Sequence, residues 1–203
     1  MRRILLHAFA IMVVVALLVS CSSHEEQSAA NNNTPAGQSS MAQNTPTAGT
    51  IQFTAQDMQG TLRNSSEWIG KQPVVINVWG TWCPPCRREI PDLVRLQKEF
   101  EPKGVEMIGL TVVRNETPQH VIEFAQQHDM NWQMLVATQQ FAQNYQIFSV
   151  PTTIFLDKEG NVVKVKDANG RLVDRFVGPR SYEVFKAAFE KITSTGGEQL
   201  SGL

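Results

Sequence analysis

The chain has few of the residues that disulfide scaffolds and metal sites are built from. Three cysteines and four histidines in 203 residues are too few for a disulfide framework and leave few ways to ligate a metal. Charge of one sign is also lacking. With 18 Lys+Arg against 19 Asp+Glu and a formal net charge of −1, no whole-chain basic footprint for nucleic acid exists. No internal repeat is present. The one long apolar run, Ile4 to Val19, falls short of the about 20 apolar residues that cross about 30 Å of hydrocarbon. What remains is a hydrophobic content of 42%, enough for a core, in a length that fits one domain with appendages.

The appendages lie at both ends. Met1-Arg2-Arg3 followed by the apolar run suits a secretory signal over residues 1–20. Leu18-Val19-Ser20-Cys21 resembles the lipobox of bacterial lipoproteins, in which cleavage leaves the Cys at the new N-terminus carrying lipid. That resemblance makes Cys21 a membrane anchor, and three acyl chains exceed the two-signal requirement for stable anchoring. Residues 21–49 then hold the lipidated Cys and a linker rich in Ser, Asn, Gln, Thr, Ala and Pro. Without apolar periodicity such a segment cannot offset ordering entropy, and as a flexible coil it reaches about 30 Å. Residues 194–203 are Gly- and Ser-rich and read as a frayed tail. The expected location is extracytoplasmic, periplasm or outer cell face.

The folded domain is expected over residues 50–193. Ile51 to Thr54 and Gly60 to Arg63 read as a short hairpin, and Asn64-Ser65-Ser66-Glu67 as a helix cap. Pro73 to Trp79 and Val105 to Val113 are continuous apolar runs, the pattern of buried strands. Pro84 to Phe100 and Pro118 to His128 have helical spacing. Trp132 to Val136 reads as a strand, Gln139 to Tyr145 as a helix and Thr152 to Leu156 as a strand. Val162 to Lys166 and Leu172 to Val177 read as strands about Asn169-Gly170, with Ser181 to Ile192 as a closing helix. The alternation predicts an α/β sandwich with a mixed sheet.

Chemistry concentrates at Trp82-Cys83-Pro84-Pro85-Cys86. Two cysteines spaced by two residues at a strand-to-helix junction form a redox motif. Pro84 is suited to the first helical position, where its missing N–H costs nothing. Cys83 then takes the capping position, with the N–H groups of Cys86 and Arg87 as donors to its sulfur. These donors and the positive helix end favour a thiolate at Cys83. Cys83 is thus the attacking sulfur and Cys86 the resolving one. A purely structural disulfide is the alternative, but a ring this short gives little chain-entropy stabilisation.

The run Trp79-Gly80-Thr81-Trp82-Cys83-Pro84-Pro85-Cys86 resembles the active site of the membrane-anchored TlpA/ResA-type thioredoxin-like proteins. The likeness covers roughly Ile51 to Ile192. Pro91 falls where thioredoxin folds kink this helix, and Val150-Pro151-Thr152 matches the loop whose proline is cis in that fold. The spacing from Cys86 to Pro151 leaves room for the helix and strand this family inserts, here about Thr117 to Val136. The resemblance implies a thioredoxin-like fold: a mixed central sheet flanked by helices, an N-terminal hairpin, and that insertion between the CxxC helix and the cis-Pro loop. It also implies thiol-disulfide oxidoreductase activity with no cofactor beyond the Cys83–Cys86 pair. Val150 would face Cys83, and the loop backbone would pair with a substrate peptide, a form of strand addition. Trp82 would shield the disulfide, while Trp79 belongs to the core.

Departures from the pattern matter. Thioredoxins carry a buried Asp before the motif; Asn77 stands here and cannot titrate, which makes Glu89, one turn after Cys86, the candidate proton acceptor. Arg87 and Arg88 either raise the local potential or are simply solvated. Pro84-Pro85 adds neither charge nor donors between the cysteines, which points to the reducing part of the roughly −270 to −120 mV range. The resemblance implies a membrane thiol-electron transporter as donor. Disulfide-containing exported proteins, apocytochrome c among them, are the implied acceptors. Disulfide oxidation or isomerisation on the same motif is the main alternative. A metal-binding module would use a longer Cys spacing and a partnered His, and His120 and His128 are expected on the inserted helix, away from the motif. A peroxidase of the fold would carry Thr and Pro where Gly80 and Ile76 stand, and a Cys hydrolase would need a His base near the motif.

Overall fold

Strand β3 (Val74–Trp79) is buried along its whole length, as its unbroken apolar run requires when both sheet faces are covered. The computed structural model describes residues 50–194; the expected signal segment, Cys21, the linker and the residues after Ser194 lie outside them. In chain order the elements are β1 (Thr54–Gln56), β2 (Leu62–Asn64), β3, α1 (Pro84–Phe100), β4 (Glu106–Thr111), α2 (Pro118–Gln127), β5 (Gln133–Val136), α3 (Gln139–Asn144), β6 (Thr152–Leu156), β7 (Val165–Lys166), β8 (Leu172–Val173), β9 (Arg175–Val177) and α4 (Tyr182–Ser194). Five strands form the central sheet in the order β5-β4-β3-β6-β9. β3, β4 and β5 run parallel, while β6 and β9 run antiparallel to their neighbours.

Two cores sandwich this sheet. On one face Ile90, Leu93 and Phe100 of α1, Val121 and Phe124 of α2, and Phe185 and Phe189 of α4 pack with Val75, Met107 and Phe155. On the other face Ile51, Trp68 and Phe141 cover Ile76, Ile108 and Ile154. The rings of Phe155, Phe176, Phe185 and Phe189 meet edge to face at centroid separations of 5.2 to 6.1 Å, the arrangement their quadrupoles favour. This is the expected mixed α/β sandwich, and the segment from α2 to β5 is the expected insertion, added in parallel at the sheet edge beyond β4.

The differences from the sequence reading are local. The first hairpin pairs Thr54 with Asn64, not Ile51 with its surroundings. The Gln52 N–H donates to the Tyr145 hydroxyl and the Phe53 N–H to Ser65 Oγ, so side chains take the hydrogen bonds a strand would have used. The Asn64 cap does form, with Glu67 closing a capping box over a single 3₁₀ turn, Ser65–Glu67. Val162 to Lys166 is not one strand. Val162 makes an isolated bridge to Leu156, while Val165–Lys166 pairs with Leu172–Val173, about a turn in which Asp167 Oδ1 accepts from the Asn169 and Arg171 N–H groups. The central sheet instead takes β9 as its outer strand. The closing helix extends to Ser194, one residue into the expected tail.

Candidate active site

α1 begins where β3 has ended and the chain turns through Gly80 to Cys83. Gly80 is required here. A Cβ on it would lie 2.7 Å from Trp82 Nε1, because the indole folds back over the turn. Cys83 is the N-cap of α1, with extended backbone, and Pro84 and Pro85 open the helix. The Cys83 sulfur accepts from the Cys86 N–H at 3.2 Å, as expected. The Arg87 N–H is engaged elsewhere: it donates to the Cys83 carbonyl at 3.1 Å, the ordinary first helical bond. The expected second backbone donor to the sulfur is therefore absent.

Cys83 and Cys86 form a disulfide. Both are nearly covered, Cys83 being 3% exposed. The Val150–Pro151 peptide is cis, and the Cys83 sulfur lies 3.7 Å from the Val150 carbonyl oxygen. The expected meeting of Cys83, Val150 and Pro151 is thus present. Trp82 is half-buried, donates Nε1–H to the Val112 carbonyl at 2.8 Å and carries the Arg114 guanidinium 4.0 Å over its ring. Trp79 is core.

Behind Cys86 lies a buried polar group. Asn77 Nδ2 donates to Glu89 Oε1 and Thr153 Oγ1, both at 3.0 Å. Glu89 is 2% exposed, and its Oε2 has no hydrogen-bond partner. Burial pushes the Glu89 carboxyl up to about 8, against the opposing pull of the Asn77 hydrogen bond and the Arg180 charge. The group therefore titrates near neutrality, the range a proton-transfer group needs.

A second network escaped the sequence reading. Thr81 Oγ1 donates to Glu116 Oε2, and His120 Nδ1 lies 2.8 Å from the same oxygen. His120 is thus tied through Glu116 to the turn that carries Trp82, not remote from the motif as its place on the inserted helix suggested. The remaining Glu116 oxygen is buried without a partner. The chain held no strong signal for this; only the capping Thr117 with Pro118, which fixes where α2 begins, hinted that Glu116 would sit at a helix entrance. His128 stacks on Phe124 at a centroid distance of 4.3 Å.

A profile of the AhpC/TSA family matches residues 47–165. The chain is 31% identical to the thiol-disulfide oxidoreductase ResA of Bacillus subtilis over 131 residues, 64% of this chain and 70% of that protein. It is 30% identical to ResA of Bacillus cereus over 142 residues, 70% of this chain and 75% of that one. Among solved structures, a thiol:disulfide interchange protein of the thioredoxin family from Chlorobium tepidum superposes with a TM-score of 0.58 at 26% identity, covering 71% of this chain and 95% of that one. StoA from Bacillus subtilis shares the fold with a TM-score of 0.51 at 20% identity, over 69% and 97% of the two chains. With a disulfide at a helix cap, a cis-proline loop against its outer sulfur and these relatives, the chain belongs to the AhpC/TSA family and is a thioredoxin-fold thiol-disulfide oxidoreductase of the ResA type.

Proposed function

We propose that this oxidoreductase works as a reductant of disulfides in exported proteins, held at the extracytoplasmic membrane face by a lipid on Cys21. The observation that carries the reading is the placing of Cys83. Its sulfur takes a backbone N–H at the positive end of α1 and faces the Val150 carbonyl, so it is the member of the pair that an incoming chain meets. In the reduced protein the Cys83 thiolate attacks a substrate disulfide and forms a mixed disulfide, releasing one substrate thiolate. Cys86 passes its proton to the ionised form of Glu89, the form that grows in as pH approaches about 8, then attacks Cys83 Sγ, closes the ring and frees the second substrate thiolate. Two electrons pass to the substrate. The Val150–Pro151 backbone holds the substrate as an added strand, and Trp82 covers the sulfurs from water.

The neutral Pro84-Pro85 spacer supplies no extra stabilisation to the thiolate, which favours the reducing direction. In an oxidising compartment the electrons then come through a membrane thiol-electron transporter, and apocytochrome c is one candidate acceptor among exported proteins. No cofactor besides the cysteine pair takes part. Trapping with Cys86→Ser in cells tests this: mixed disulfides on Cys83 should accumulate with exported proteins whose reduced form is functional. A reduction potential near −120 mV, or trapped partners whose mature form keeps the disulfide, would assign oxidation instead.

A further inference from the structure

Three arginines near the motif, Arg87, Arg88 and Arg114, form no ion pair among the described residues, and a fourth, Arg180, exerts its charge on the buried Glu89. Arg87 and Arg88 directly follow Cys86 in α1, and the Arg87 guanidinium lies 5.6 Å over the Phe124 ring. Arg114 covers Trp82. Arg180 Nη1 donates to the Gly178 and Pro179 carbonyls at 3.2 and 2.9 Å, and the Gly178 N–H donates to the Pro151 carbonyl at 2.8 Å. Arg180 therefore stands beside the cis-proline loop, and its Nε is buried without a hydrogen-bond partner. Three of the four other arginines among the described residues are ion-paired. Arg63 pairs with Glu67, Arg171 with Asp167 and Arg175 with Asp174, while Arg95 rests on the Tyr182 ring.

The two carboxylates closest to the motif are withdrawn. Glu89 is buried under Cys86, and Glu116 is taken by Thr81 and His120. Asp92 in α1, Glu123 in α2 and Glu183 in α4 also lie on the neighbouring elements. A chain with a net charge of −1 thus presents a local positive field at its reactive sulfur. Beside that field lies exposed apolar surface. Phe148, three residues before Pro151, is 88% exposed, and Val177, paired in the sheet with Thr152, is 53% exposed. Unpaired arginines next to an exposed aromatic ring form the composition of a recognition surface.

We propose that the site selects an extended polypeptide segment whose cystine is flanked by aspartate or glutamate and by one apolar side chain. The carboxylates meet Arg87, Arg88 and Arg114, and the apolar side chain lies on Phe148 and Val177. This rests on the reductant reading above and follows the same exchange: the Cys83 thiolate takes one substrate sulfur, Cys86 displaces it, and the segment leaves as a dithiol. A positive field that only stabilised the thiolate would change the rate with every disulfide alike, so a ratio between substrates isolates recognition.

The test uses reduced protein and two synthetic peptides with one internal disulfide and the same apolar residue, flanked in one by Glu and in the other by Lys, beside neutral hydroxyethyl disulfide. The acidic peptide should react at least about tenfold faster at low salt, and the ratio should fall toward one at about 0.5 M salt, where the screening length is only a few ångströms. Arg88→Glu with Arg114→Glu should invert the preference, and Phe148→Ala should slow both peptides. A folding defect lowers both rates and leaves their ratio unchanged, so it cannot imitate the inversion. Equal rates for the two peptides, or a faster basic one, would overturn the charge recognition, and an unchanged rate in Phe148→Ala would overturn the apolar contact. Reaction with hydroxyethyl disulfide alongside equal peptide rates would leave the reductant reading standing; no reaction with any of the three disulfides would overturn that reading itself.

Discussion

At the residue scale the most consequential group is Glu89, because its protonation links stability to chemistry. Its folded value of about 8 lies above the ordinary 4.5. Between those two pH values the folded protein holds a proton that the unfolded chain has released, so the stability of the oxidised protein falls as pH rises through this window. Below about 4.5 and above about 8 the group contributes no slope. Glu89→Gln should therefore flatten the profile. Unfolding free energies at pH 5 and pH 8, read from denaturant titrations, should differ less in the variant, by an amount on the order of a few kcal/mol. The same substitution should slow the resolving step by Cys86 while leaving the first attack by Cys83 nearly unaffected, read as longer-lived mixed disulfide. The residues proposed for this chemistry could be picked out of the sequence, because Cys83, Cys86 and Glu89 lie within two helical turns, where spacing alone sets direction. Glu116 could not, because the Thr81 hydroxyl that it accepts from lies 35 residues away, nor could the pull of Arg180 on Glu89, because no local pattern records such a meeting.

At the scale of elements, α4 holds the CxxC helix against the sheet. Phe189 packs on Phe100 of α1 at 5.2 Å and on Phe155 of β6 at 6.1 Å between ring centroids. Phe189→Ala opens a void between three elements and should cost about 3–5 kcal/mol, seen as a lower denaturation midpoint. Because Phe189 lies away from the sulfurs, the protein that remains folded should exchange disulfides at close to the normal rate. Most elements followed from their apolar spacing, with ends displaced by one or a few residues. The region after β6 did not. Val162 to Lys166 and Leu172 to Val177 carry similar alternation, and only the sheet decides which of them joins it. Asp167 closes a small side hairpin of β7 and β8, which leaves Arg175–Val177 free to pair with β6.

At the scale of the whole molecule, catalysis and location are separable. Every contact described above lies within residues 50–194, and no helix among them is long and apolar enough to cross a membrane. The proposed anchor rests on Cys21 alone. Cys21→Ser should release the protein from the membrane fraction while its exchange rate with a soluble disulfide stays the same; retention in that fraction after the substitution would show that something else holds it. Association of the full chain with acidic substrates should weaken as salt is raised, since the field at the site comes from Arg87, Arg88 and Arg114, which form no ion pair among the described residues.

The sequence by itself determined the reaction, because a cysteine, two prolines and a second cysteine at a helix start place a sulfur over the Cys86 N–H through bonds that are all local. It also determined the layers of the fold, since each buried run could lie only between two covered faces. Tertiary structure alone decided what surrounds that sulfur. The stacking of Arg114 on Trp82 and the buried Asn77–Glu89–Thr153 group are assembled from separate strands, loops and helices, and their meeting depends on sheet order and packing rather than on any short stretch of chain.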